Sequence, residues 1–262
     1  MSTGIDLIAF EALNGLVGRS WALDSLIALA LDNVVVKAGP IGACFFFAWY
    51  AESGREPAAR RRILLVTLLS LFLIAPLTKA LSESRLSPRP FVAAERSYTL
   101  DDGDLAERPP VAFRTMTAGD VRGRVDELDE GRLDPNDLAT FPSDHAAFFV
   151  ALSLGIWLVC RAAGWIALGW TLFVTLATRV AAGLHWPLDI AAGAVVGAAV
   201  LGLLQLVFAR WPRPLAPAVG WSSRFPALTA ALLFLLLLEA ANTMQTAKRA
   251  MEVGSAIAGR LL

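Results

Sequence analysis

The chain has 262 residues, of which 56% are hydrophobic, and its mean hydropathy is +0.58. Soluble domains average only about half apolar residues, so this composition points to a chain solvated by lipid. A formal net charge of +0 argues against a nucleic-acid partner, and two cysteines in apolar runs, Cys44 and Cys160, argue against a disulfide framework or a cysteine-rich metal site.

Taken in chain order, the first ten residues hold Asp6 and no Lys or Arg, the wrong charge for the start of a secretory signal. Residues 5–31 mix apolar residues with Asp6, Glu11, Arg19 and Asp24, the pattern of one or two interfacial amphipathic helices. A membrane span needs about 20 mostly apolar residues. Candidates are 34–51, with Lys37 near its start, and 63–82, with Lys79 near its end. Four more follow at 146–160, 162–178, 190–209 and 225–238. The predicted fold is an all-α, polytopic bundle of about six transmembrane helices. Residues 1–33 form an N-terminal interfacial region, 34–209 a membrane-embedded core, and 210–262 a C-terminal extra-helix region. Between the second and third spans, residues 83–141 carry 13 Asp/Glu against 8 Lys/Arg. That acidic balance and the Gly and Pro residues predict a partly ordered excursion with short helices.

Short connections fix relative direction. Only a few residues around Arg161 separate the third and fourth spans, so those helices form an antiparallel hairpin. His145, at the start of one, then lies at the depth of Arg179, at the end of the other. His185 and Asp189 follow at once, and Arg89-Pro90 lies just past the second span on the same face. Lys/Arg bias in short loops sets orientation. Arg55, Arg60, Arg61, Arg62, Arg161, Arg210, Arg213 and Arg224 all fall on the opposite face. That face reads as cytoplasmic, and the polar cluster as facing the periplasm or outside.

The chain's two histidines sit at helix mouths, where ionisable groups are costly unless they serve a function. In Phe141-Pro142-Ser143-Asp144-His145, Ser143 suits an N-cap and Asp144 the first turn. A capped helix explains both but not His145. Free N–H groups at such a start also bind phosphate. In the segment from Thr178 to Asp189, Arg179 suits a helix C-terminus and Pro187 a helix start. With a helix beginning near Pro187, Asp189 can accept a hydrogen bond from His185 and leave the other ring nitrogen as a nucleophile. The guanidinium of Arg89 suits phosphate through paired, charge-assisted hydrogen bonds, although the same segment also reads as a basic juxtamembrane stop.

Together these segments resemble the type 2 phosphatidic acid phosphatase family, whose soluble relatives are vanadium haloperoxidases. Its pattern is K-x6-R-P, then P-S-G-H, then S-R-x5-H-x3-D. The matches here are Arg89-Pro90, Pro142-Ser143-Asp144-His145, and Thr178-Arg179 through His185 to Asp189, over roughly residues 60–200. Asp144 in place of glycine is similar to the bacterial undecaprenyl diphosphate phosphatase branch. Ser82 stands where the pattern has its lysine. Lys79, three residues earlier and about 4–5 Å along a helix, is one candidate for that role, and Arg85 is its rival.

The resemblance implies an integral-membrane lipid phosphatase with no cofactor and no metal, its bound partners being a lipid phosphate and the bilayer. His185 would form a phosphohistidine, Asp189 would orient it, and His145 would serve as acid and then base. Lys79, Arg89, Ser143, Asp144 and Arg179 would bind the phosphate. Undecaprenyl diphosphate is the expected substrate, at the outer face of the cytoplasmic membrane. Phosphatidate, phosphatidylglycerophosphate and lipid A phosphatases, a lipid phosphotransferase, and a non-catalytic scaffold or transporter are the alternatives.

Overall fold

The computed structural model describes residues 4–51, 56–85, 87–95, 98–101, 104–107, 112–117, 123–124, 126–127, 130–132 and 138–242. Arg55 and residues 243–262 of the C-terminal region therefore lie outside the described residues. Helix α1 spans Gly4–Asn14 and α2 spans Trp21–Asp32. Ser20 caps α2 by accepting the Leu23 N–H at 3.2 Å. Asn33 caps α3 (Val34–Tyr50) by accepting from the N–H groups of Val35 and Val36. The caps satisfy donors that a helix start leaves orphaned, and the chain bends by 61° between α2 and α3. Helix α4, Pro57–Glu83, opens on a proline, whose fixed φ suits that position.

After α4 come the short α5 (Pro90–Glu95) and an antiparallel hairpin, β1 (Tyr98–Asp101) with β2 (Asp104–Glu107). Then follow α6 (Asp144–Val159), α7 (Arg161–Ala181) and α8 (Pro187–Arg210). Beyond a 3₁₀ turn lie α9 (Ala216–Arg224) and α10 (Pro226–Ala241). The predicted all-α bundle is what the chain forms, with the hairpin confined to the excursion between α4 and α6. Three helices, α4, α7 and α8, are long and apolar enough to cross a membrane singly. The bent pairs α2–α3 and Arg213–Arg224 with α10 (116°) would raise that to five. Only 17% of the most apolar window of α8 is buried within the protein. Val195, Leu203 and Leu206 are more than 60% exposed there, as side chains facing lipid tails would be. The chain is a multi-pass membrane protein.

The bundle is centred on α6, whose Phe148 and Ile156 pack with Ile41, Phe45, Leu64 and Leu71. Its contact with α8 depends on two glycines four residues apart. A Cβ on Gly193 would stand 2.2 Å from the Ser143 carbonyl oxygen, and one on Gly197 would stand 2.1 Å from that of Ala147. Only hydrogen at both positions lets the two backbones touch, and that contact draws the start of α6 against the start of α8. There the Ser143 N–H donates to the Asp189 carbonyl at 3.0 Å.

Pro40 does the corresponding work for α3. Proline has no N–H, so the carbonyl four residues back loses its helical partner. The Trp170 indole N–H donates to that carbonyl, of Val36, at 2.9 Å. One residue on, the Thr175 hydroxyl donates to the Lys37 carbonyl at 2.9 Å. Both donors flank or lie in a π-helical stretch of α7, Thr171–Leu176, a widened turn that shifts the phase of every later side chain, Arg179 included. Such insertions are frequent at functional sites.

Candidate active site

The start of α6, the end of α7 and the start of α8 meet at one end of the bundle, and the segment after α4 closes over them. Ser143 caps α6, accepting the Ala146 N–H at 3.4 Å. His145 Nδ1 lies 2.8 Å from Asp144 Oδ1, which also accepts the His145 backbone N–H. The Asp144 carboxylate therefore orients His145, fixing its tautomer with Nε2 free. Arg179 and Asp144 are the charges acting most strongly on His145, so the hairpin brings His145 and Arg179 to one depth, as its connectivity requires.

His185 and Asp189 sit where the loop 182–186 enters α8. His185 is 5% exposed and Asp189 2%. His185 Nδ1 is 3.8 Å from Asp189 Oδ2, within ion-pair range but longer than a hydrogen bond. That oxygen also accepts from the Thr140 hydroxyl at 2.8 Å and the Trp186 N–H at 3.1 Å, so the carboxylate is held in place. Burial lowers the pKa of His185, and the Arg89 and Arg179 guanidiniums lower it further, against the opposing pull of Asp189. At neutral pH the ring is therefore uncharged and keeps a lone pair.

Three anchors hold the histidine loop. Arg89 Nη1 donates to the Leu184 carbonyl at 2.7 Å, and the Trp186 indole N–H donates to the Pro88 carbonyl at 2.9 Å. Gly183 turns the chain at φ 75° with the Phe113 ring 2.4 Å from where its Cβ would stand, so both conformation and space demand glycine. From the N-terminal helix, Asp6 accepts the Leu188 N–H at 2.8 Å, and Phe10 packs on Trp186 with ring centroids 5.2 Å apart.

Arg179 Nε and His185 Nδ1 are among the buried nitrogens that have no hydrogen-bond partner among the described residues. Unmet buried polar groups are rare; here Arg179 Nε lies where two histidines and two arginines converge, while His185 Nδ1 faces Asp189 Oδ2. Lys79 is exposed on α4. At Ser82 the hydroxyl donates to the Ala139 carbonyl at 2.8 Å, joining α4 to the segment before α6. Arg85 is also exposed, its guanidinium 4.7 Å from the Phe141 ring centroid.

Sequence reasoning missed Asp6, Thr140 and Arg124, the last of which acts electrostatically on Arg179 from the excursion. An acid inside the otherwise apolar turn 4–10 was a visible signal for Asp6. Thr140 and Arg124 gave none. Among the described residues no group of three or more His, Cys, Asp or Glu is placed to hold a metal ion.

The family model described as "PAP2 superfamily" matches residues 59–213. Over 90 residues, 34% of this chain, the sequence is 36% identical to the bacitracin transport permease protein BcrC of Bacillus licheniformis. The match spans 39% of that relative's length. No solved structure matches the chain.

Proposed function

The chain belongs to the PAP2 superfamily, and from that premise we propose that it is a lipid phosphatase, hydrolysing a phosphate or diphosphate on a lipid carrier, most favourably undecaprenyl diphosphate. The observation that carries this reading is the convergence at His185 of Arg89, Arg179, His145 and the capped start of α6. Cations and free N–H groups around a buried histidine suit the three peripheral oxygens of a phosphoryl group.

In the first step His185 Nε2 attacks phosphorus, forming an N–P bond as the bond to the leaving oxygen breaks. Positive charge then grows on the ring, and Nδ1–H closes the 3.8 Å gap to Asp189. His145 enters this step as the imidazolium, its Nδ1–H held by Asp144, and gives its Nε2 proton to the leaving oxygen, becoming neutral. In the second step His145 takes a proton from water, whose oxygen attacks phosphorus while the N–P bond breaks. Inorganic phosphate leaves and His185 is neutral again. Arg89 and Arg179 bear the charge of the transferring group, Ser143 presents the helix start, and Asp144 contributes its place in the first turn. Lys79 could take part only by swinging back from its exposed position. No step needs a metal, because arginines supply the positive charge.

Depth favours a lipid substrate. The 16 residues of α6 rise about 24 Å, short of a hydrocarbon core of about 30 Å. With Cys160 at the far boundary, the His145 end sits at or just beneath the headgroups, where a lipid phosphate lies.

Purified protein given polyprenyl diphosphates, phosphatidate and phosphatidylglycerophosphate in EDTA should release phosphate, fastest from the polyprenyl diphosphate. Release from none of them, or a strict magnesium requirement of the enzyme itself, would refute the proposal. The arginine-rich loops support an orientation with the site on the outer face of the cytoplasmic membrane. An Arg132→Cys chain lacking Cys44 and Cys160 should react with an impermeant thiol reagent in intact cells. Labelling only after lysis would put the substrate in the inner leaflet.

A further inference from the structure

Lysine in a transmembrane helix normally extends its stem toward the nearest polar boundary. Lys37, one turn into α3, is instead 7% exposed. No hydrogen bond or ion pair to its ammonium is found among the described residues, although a buried charge is strongly disfavoured unless paired. The charges acting on it are those of Arg179, Asp144 and Asp32, and Lys37 in turn acts on His145. Its neighbourhood is the catalytic cluster.

The carboxylates nearest the site are already engaged, Asp144 with His145 and Asp189 with Thr140 and the Trp186 N–H. Lys37, Arg179 and Arg89 bring three cations toward the same place. Arg179 Nε itself has no hydrogen-bond partner among the described residues. A phosphate dianion held there would meet these donors together.

The placement is built rather than incidental. The Val36 carbonyl, orphaned by Pro40, is held by Trp170, and the Lys37 carbonyl is held by Thr175. Both donors belong to the helix that carries Arg179. Thr175 lies one turn below Arg179, so a lysine stem rising from Lys37 reaches the Arg179 level. Two hydrogen bonds thus set the spacing of two cations, the preorganisation an anion site requires.

We propose that Lys37, which lies outside the family-matched segment 59–213, is a phosphate-binding residue of the site, delivering its ammonium from α3 to the group held by Arg179. The proposal rests on the phosphatase reading for what the phosphate belongs to, but phosphate binding is measurable without turnover. In the full-length protein, the affinity for inorganic phosphate, read from the rise in melting temperature with phosphate concentration, should fall at least tenfold in Lys37→Met. Without phosphate the melting temperature of Lys37→Met should equal or exceed that of the wild type, because an unpaired buried charge has gone. Lys37→Arg should recover part of the affinity. Unchanged affinity in Lys37→Met would overturn the assignment, as would a wild type that binds no phosphate. So would lost affinity accompanied by a lower phosphate-free melting temperature and no recovery in Lys37→Arg. A wild type that binds phosphate through Lys37 yet releases none from any lipid would leave this assignment standing and refute the phosphatase reading.

Discussion

Replacing His185 by alanine is expected to abolish phosphate release, a fall on the order of 10⁴-fold or more, the scale of losing a covalent nucleophile. His185 is the buried imidazole with a fixed carboxylate beside it, and Asp189 is itself held by Thr140 and Trp186. The fold should survive. The ring makes no hydrogen bond among the described residues, and the loop that carries it is tied down by Arg89, Asp6 and Trp186. Retained melting behaviour with lost turnover is therefore the expected pair of results. Residual activity above about a hundredth of wild type would move the nucleophile elsewhere.

Arg179→Ala should be the next most damaging change, lowering kcat by about 10²–10³-fold, the range for removing one preorganised donor from a transition state. Arg179 is 9% exposed, and its Nε has no hydrogen-bond partner among the described residues. Arg179→Lys should recover only a small part, because an ammonium cannot reproduce the planar two-pronged contact. Steady-state kinetics on the preferred lipid decides this. Equal activity in Arg179→Lys and wild type would mean that Arg179 serves only as a diffuse charge.

Much of this arrangement was legible in the residues. Hydropathy located α4, α7 and α8, because a span must be apolar along its whole length. The single-residue link at Cys160 makes the α6–α7 hairpin unavoidable, and with it the common depth of His145 and Arg179. Pro142-Ser143 and Pro187 mark helix starts through backbone chemistry alone.

What could not be read depends on contacts distant in sequence. Gly193 and Gly197 suggest close packing, but nothing in the sequence says that the partner is the backbone of Ser143 and Ala147. The π-helical stretch coincides with Trp170 and Thr175 binding α3, and local propensity carries no sign of it. Residues 5–31 were expected to lie at the interface. In the structure Asp6 accepts from Leu188, Asn14 donates to the carbonyls of Arg114 and Ala181, and Asp24 accepts from Thr117. Each of these polar groups is matched across more than ninety residues, a pairing that one-dimensional patterns do not encode. Lys79 followed the spacing of a family pattern along α4. Lys37 reads in the sequence only as a charge near the start of a span, because Arg179, which acts on it in the fold, is 142 residues away in sequence.

The covalent intermediate gives the most direct test. Wild-type protein mixed with lipid substrate labelled in the hydrolysed phosphate, quenched within one turnover and digested under alkaline conditions, should carry an acid-labile, base-stable label on the peptide containing His185. His145→Ala loses both the acid of the first step and the base of the second, so label that forms on its His185 should persist longer in a chase with unlabelled substrate. Phosphate release with no label at His185 in either protein, or with label on another residue, would contradict the mechanism.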